Sequence, residues 1–237
     1  FFLGDTILFH FDITEEFEFG HIPFYLGLGV FTGLTSILFF RSYTQVNKIM
    51  DKMKRQRNKT MIAGSLLGGL LFLLPPLYGE GYEAVNAIIG GHPEQIMASS
   101  LFSSYSENIF VLLAFVLLLG LMKIVATTLT FQAGGVGGTF GPTLFMGAMY
   151  GFFFSRTVNY FELGDLPEAN FTLVAMAGMM AGNLHAPLTA IFLIAEITGG
   201  YELFVPLMIT ASIAFVTVKQ FTPHSIYTAQ LARRGEL

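Results

Sequence analysis

Long apolar stretches constrain this chain more than anything else in it. They run from Ile22 to Phe40, Met61 to Tyr78, Ile109 to Phe131, Val136 to Phe154, Phe171 to Ala195 and Leu203 to Val218, and Lys123 is the single Lys, Arg, Asp or Glu inside them. An α-helix needs about 20 apolar residues to cross about 30 Å of hydrocarbon, so these lengths fit helical spans, some of them short or broken. A membrane barrel would instead show alternating segments of about 10 residues, and the sequence has none. The expected fold is all-α, a polytopic helical membrane bundle forming one transmembrane domain over residues 1–237. Composition agrees: 53% of residues are hydrophobic and 12% charged, against about 25% charged in a soluble domain.

With 26 Phe, 26 Gly and no Cys or Trp, the chain suits helices packed through small residues and excludes disulfides and thiolate metal sites. Small residues four apart recur at Gly29 and Gly33, Gly64 and Gly68, Gly147 and Gly151, and Gly178 and Gly182. Such pairs let helix backbones approach closely, and packing is the role expected of each.

Charge is distributed unevenly. Arg41, Lys48, Lys52, Lys54, Arg55, Arg57 and Lys59 are seven of the 12 basic residues. Under the positive-inside rule, segment 41–59 reads as a cytoplasmic linker or a solvated helix end, and nucleic-acid binding is the weaker reading. Glu80, Glu83, Glu94 and Glu107 fall in the next long connection, and Glu162, Asp165 and Glu168 in a later one. Lys219, Arg233 and Arg234 place the carboxyl end on the cytoplasmic side with segment 41–59. No signal peptide opens the sequence, which reads as starting inside a longer protein.

Two of the apolar stretches are interrupted. Gly182, Asn183, His185 and Pro187 divide Phe171 to Ala195 into two short helices meeting in a hairpin, since Pro favours the first turn of a new helix. Gly134, Gly135, Gly137, Gly138, Gly141 and Pro142 leave irregular backbone at the amino end of Val136 to Phe154. Irregular backbone within a bilayer is tolerated where it is buried in protein or lines a cavity, and half-helix ends near the midplane recur as ion sites.

The run from Gly134 to Pro142 is neither a Walker loop nor a dinucleotide fingerprint, because the Gly-Lys-Ser/Thr and G-x-G-x-x-G patterns are absent. It is side-chain-poor backbone entering a helix whose first amides lack intrahelical acceptors. Those amides and the helix dipole, about +0.5 charge at the amino end, attract an anion. A bare ion entering a low-dielectric medium costs on the order of 20 kcal/mol, yet a full opposite charge would hold it too tightly to leave. Partial charges from amides and hydroxyls lie between those limits. On this run alone, a flexible Gly-rich turn without a ligand stands beside the anion reading.

Gly138-Thr-Phe-Gly-Pro142, with Thr127 to Gly138 before it and Leu144 to Ala148 after it, resembles the G-x-F-x-P signature of the CLC family of voltage-gated chloride channels and chloride/proton antiporters. Ala181 to Ile191 with Ala195 to Met208, and then His224 to Arg234, are similar to that family's late helices in the same order. The resemblance implies the second half of an inverted-repeat membrane domain that transports chloride or a similar anion, with chloride as substrate and no other cofactor or metal. It also implies a homodimer with one pore per subunit, embedded in a lipid bilayer. Carried over residue by residue, it makes the N–H groups of Thr139 and Phe140 and the hydroxyl of Tyr227 the anion ligands; without it, Tyr227 would read as an interfacial aromatic.

Lys123 either adds positive potential to an anion vestibule or snorkels toward an interface. Glu196 and Glu202 mark the solvent side of a short connection, and His185 is expected to hydrogen-bond within the hairpin. In the family, a Gly-Ser-Gly-Ile-Pro segment supplies a chloride-binding Ser and a Gly-Lys/Arg-Glu-Gly-Pro segment a gating Glu. Neither occurs here, and because Tyr82 stands where Pro should follow Gly79-Glu80-Gly81, that gate is not assigned to Glu80. The resemblance therefore implies that the transporting protein requires an amino-terminal half besides this chain. An intramembrane enzyme using His185, Lys123 or Tyr227, and a non-transporting assembly module, are the rival readings; no Ser/His/Asp or metal-ligand spacing favours catalysis.

Overall fold

A computed structural model describes residues 17–53, 55–100, 102–105, 108–199 and 201–229. Glu107, Arg233 and Arg234, which entered the charge map, and Lys54 of the basic segment lie outside the described residues. The described elements are helical: α1 (Ile22–Asp51), α2 (Gln56–Leu73), α3 (Tyr82–Ile89), α4 (Gln95–Ala98), α5 (Ile109–Gln132), α6 (Phe140–Tyr160), α7 (Glu168–Leu184), α8 (Pro187–Thr198) and α9 (Phe204–Phe221), with short 3-10 turns between some of them. Residues 226–229 are again helical. Three helical stretches, Phe19–Asp51, Ile109–Gln132 and Tyr201–Ala229, are long and apolar enough to cross a membrane.

The helix ends follow local chemistry. The Asn108 carboxamide oxygen caps α5 by accepting from the amides of Phe110 and Val111 at 3.0 and 3.4 Å. Between α7 and α8 the chain turns at His185, which adopts a left-handed φ of 56°, and Pro187 opens α8 at its first turn. His185 acts as the joint itself and not as the hydrogen-bonding residue expected of it. Its ring lies edge-on to Phe215 at 5.9 Å, and it makes no hydrogen bond to a described residue.

Helix α7 is the post around which the rest is arranged, buried continuously from Asn170 to Asn183. It packs against α6, α9, α1 and α8, while α5 joins α6, α1 and α2. The core of Phe145, Met149, Phe152, Phe171, Val174 and Met176 forms where α6 meets α7. Glycines make that approach possible: a Cβ at Gly147 would lie 2.5 Å from Met176 Cα, and one at Gly151 2.6 Å from Ala175 Cβ. Gly29 and Gly33 are packed as tightly against Ile213 and Thr217 of α9, and Gly178 and Gly182 against Thr32 and Ser36 of α1. Gly64 and Gly68 depart from the pattern, since among the described residues no atom of another element lies within 4 Å of the added Cβ at either. Apart from the face carrying Ala63, helix α2 packs little against the other described residues.

Segment 41–59 is divided between the last turns of α1 and the first turn of α2, with 52–55 as the connection. Lys59 Nζ and Asp51 Oδ1, 2.7 Å apart, tie the two helix ends together.

Candidate functional site

Helix α5 ends at Gln132 with Ala133 as its cap, and Gly134, at φ 99°, reverses the chain in a left-handed conformation that a side chain would strain. Residues 134–138 remain exposed, and the chain is buried again at Thr139, which is 3% exposed. The first backbone bond of α6 runs from the Thr143 N–H to the Thr139 carbonyl at 3.0 Å. The amides of Phe140 and Gly141 come before that bond and have no intrahelical acceptor, and Pro142 has no N–H to satisfy. The helix therefore starts at Phe140, two residues before the proline, and the proline occupies its first turn.

Tyr227 reaches this point from 88 residues away. Its hydroxyl lies 2.9 Å from Thr139 Oγ1 and accepts from the Thr139 N–H at 3.4 Å. The structure thus brings Thr139, Phe140 and Tyr227 together at one helix end. Thr139 is buried, Phe140 half-buried and Tyr227 50% exposed, so the cluster is closed on one side and open on the other.

Beside it lies a cavity of about 380 Å³ lined by Lys123, Glu80, Gly137, Gly138, Phe140 and Gly141. Lys123 does not snorkel. It is 2% exposed, and its ammonium donates to the carbonyls of Leu77 and Gly79 at 3.1 and 2.9 Å, with the Phe145 ring centroid at 4.5 Å. It pins the turn that carries Glu80. A Cβ on Gly141 would lie 3.3 and 3.4 Å from Glu80 Cγ and Cδ, so the carboxyl group packs on the first turn of α6, where the dipole favours it. Burial, with the Glu80 carboxylate as hydrogen-bond acceptor, pushes the Tyr82 phenol up to about 12. Its hydroxyl therefore remains a donor at neutral pH. Sequence reasoning set Glu80 aside because the gating motif around it is incomplete; the residue's position on α6 carries no local signal.

Glu196 and Glu202 are both exposed, and Glu196 accepts a hydrogen bond from Tyr201. Among the described residues, no group of three or more His, Cys, Asp or Glu is placed to hold a metal ion.

A protein-family model described as voltage gated chloride channel matches residues 1–219. The chain is 28% identical over 229 residues to a putative chloride channel protein, ClcB-like, of Ralstonia nicotianae, covering 96% of this chain and 48% of that protein. It is 29% identical over 215 residues to an H⁺/Cl⁻ exchange transporter, ClcA, of Vibrio parahaemolyticus, covering 88% of this chain and 42% of that one. Among solved structures, a slow cyanobacterial Cl⁻/H⁺ antiporter matches with a TM-score of 0.72 at 24% identity, over 96% of this chain and 50% of that chain. A CLC-type fluoride/proton antiporter matches with a TM-score of 0.69 at 20% identity, over 94% and 49% respectively. The chain spans about half the length of these relatives, and the structural likenesses establish the shared all-α membrane fold.

Proposed function

Because this chain belongs to the family of voltage-gated chloride channels, we propose that it forms one wall of a transmembrane path for chloride or a similar small anion. The anion is held by the N–H groups of Thr139 and Phe140 and by the Tyr227 hydroxyl. The observation that carries this reading is the Tyr227 hydroxyl seated on the Thr139 amide and hydroxyl at the start of α6. The uncommitted Phe140 amide, the helix dipole and the Tyr227 hydroxyl converge there without a full positive charge, as a conducted anion requires.

Lys123 raises the potential of the adjoining cavity. With two of its N–H bonds committed to carbonyls, it attracts an anion without being its main ligand. The other wall, including the gate and the proton-transfer carboxylate of an antiporter, comes from the remaining half of the intact protein, so passive conduction and proton-coupled exchange both fit this wall. The intact protein is a homodimer, and the α1–α2 connection and the carboxyl end face the cytoplasm, as the basic residues there favour.

The test is chloride efflux from liposomes containing the intact protein, alongside calorimetric chloride binding. Chloride-selective flux with weakened binding in Tyr227→Phe supports the reading. Absence of flux favours an enzyme or assembly role, and unchanged binding in the Phe variant removes Tyr227 from the site.

A further inference from the structure

The amide of Phe140 belongs to the same peptide group as the carbonyl of Thr139, and that carbonyl is unusually well supplied with donors. It accepts the Thr143 N–H at 3.0 Å and the Thr143 hydroxyl at 2.7 Å. The hydroxyl oxygen of Thr143 in turn accepts from Asn183 Nδ2 of α7 at 3.2 Å, across 40 residues of sequence. The direction of the chain is fixed by its members: the single hydroxyl proton of Thr143 is committed to the Thr139 carbonyl, so the neighbouring carboxamide must present its N–H.

Thr127 and Thr128 bond back to the fourth preceding carbonyl in the same way, so the Thr143 bond alone would be ordinary helix behaviour. Thr143 differs from them in two respects. Its oxygen receives a donor from another helix, and the carbonyl it serves belongs to the peptide whose N–H is left uncommitted at the helix end. Asn183 is 3% exposed, and its carboxamide oxygen has no partner among the described residues. A leucine of similar size would avoid that cost; what it could not supply is the donor to Thr143.

Hydrogen bonds in series polarise one another, roughly 10–30% per bond. Donors on a peptide carbonyl draw electron density toward oxygen and make the N–H of the same peptide a stronger donor. We propose that Thr143 and Asn183 are specificity-determining residues that, without touching the anion, strengthen the Phe140 amide as its donor. This rests on the anion-binding reading above. The effect grows with the anion's charge density, so the pair biases the site toward small anions such as fluoride and chloride over nitrate.

The test uses the intact protein with carbonyl-¹³C threonine and ¹⁵N phenylalanine. Within this chain such labelling isolates the Thr130–Phe131 and Thr139–Phe140 peptides, and Phe131→Leu assigns them. Thr143→Val should shift the Phe140 amide resonance upfield in anion-free protein. It should also weaken chloride binding roughly two- to fivefold, with a larger loss for fluoride and a smaller one for nitrate. Thr143→Ser, which keeps the hydroxyl, should restore both readouts, and Asn183→Leu should give a smaller change of the same sign. Should Thr143→Val fail to fold, Asn183→Leu decides on the same readouts. An unmoved Phe140 resonance, or equal losses for all three anions, overturns the proposal. A parent protein whose Phe140 signal ignores chloride would instead overturn the anion reading, while the anion-free shift would still report on polarisation.

Discussion

Gly147→Ala tests whether the packing of α6 on α7 sets the geometry of the site. The added Cβ would sit 2.5 Å from Met176 Cα, 2.9 Å from its nitrogen and 3.0 Å from the Ala175 carbonyl oxygen. These are backbone atoms, so no rotamer change relieves the clash. Restoring a 3.4 Å contact from 2.5 Å requires the helices to part by 0.9 Å, the difference of the two. Overpacking of this kind costs about 1–3 kcal/mol, against at most about 1 kcal/mol gained from replacing glycine within a helix. The parting would also stretch the 3.2 Å Asn183–Thr143 bond beyond hydrogen-bonding range. Gly27→Ala is the control, because its Cβ would meet Phe154 Cζ at an ordinary 3.5 Å. In detergent, thermal loss of monodispersity should place Gly147→Ala below the parent and Gly27→Ala at or above it, with chloride affinity reduced in the first alone. Equal stability and equal affinity in the two variants would refute the reasoning.

Tyr227→Phe should weaken chloride binding by at most about 1.5–3 kcal/mol, the range for hydrogen bonds to charged groups, with the fold intact by circular dichroism. Lys123→Met should leave the Leu77 and Gly79 carbonyls without their donor and speed hydrogen exchange at the amides of Tyr78 to Gly81; unchanged exchange would show that the ammonium does not hold this turn. The 237-residue chain alone, reconstituted in liposomes, should release chloride no faster than empty vesicles do, and robust chloride-selective efflux would mean that one wall suffices.

Local features of the fold were legible because their causes are local. Pro187, two residues past His185, announces the break that His185 executes, and the glycines of 134–138 announce irregular backbone before α6. Packing of Gly29, Gly33, Gly147, Gly151, Gly178 and Gly182 could be read from spacing, but spacing does not say whether a partner helix exists, and for Gly64 and Gly68 the described residues provide none. The site was harder to read. Tyr227 meets Thr139 across 88 residues, a distance no periodicity spans, so resemblance to a family supplied what physics alone could not. Neither the partial motif at Glu80 nor the block containing Asn183 marks their pairing with Gly141 and Thr143. A polar residue in an apolar helix announces only that it needs a partner; which partner it finds is decided by how α3, α6 and α7 pack.

The same packing leaves the helix end at Thr139 closed on one side and open on the other. Thr139, Gly141 and Thr143 are buried, with Gly141 against the Glu80 turn, Thr143 bonded to Asn183 of α7 and Thr139 bonded to Tyr227, so their positions are set within this chain. Residues 134–138 and the Tyr227 ring, which border the same helix end, are left exposed. An anion seated on the Phe140 amide would have donors on one side and none from the described residues on the other. In a low-dielectric site an anion with unmet lone pairs is costly, so on the proposed reading the free side needs donors from elsewhere. Helix α2 shows the same need in apolar form, with Met61, Leu66, Phe72 and Leu73 exposed on a helix whose Gly64, Gly68 and Gly69 stand open. Lipid can cover such side chains, but glycines on a helix face gain most from another helix approaching closely. The polar gap at α6 and the open glycine face of α2 are thus the two kinds of surface that, on the proposed reading, a second half-domain would cover.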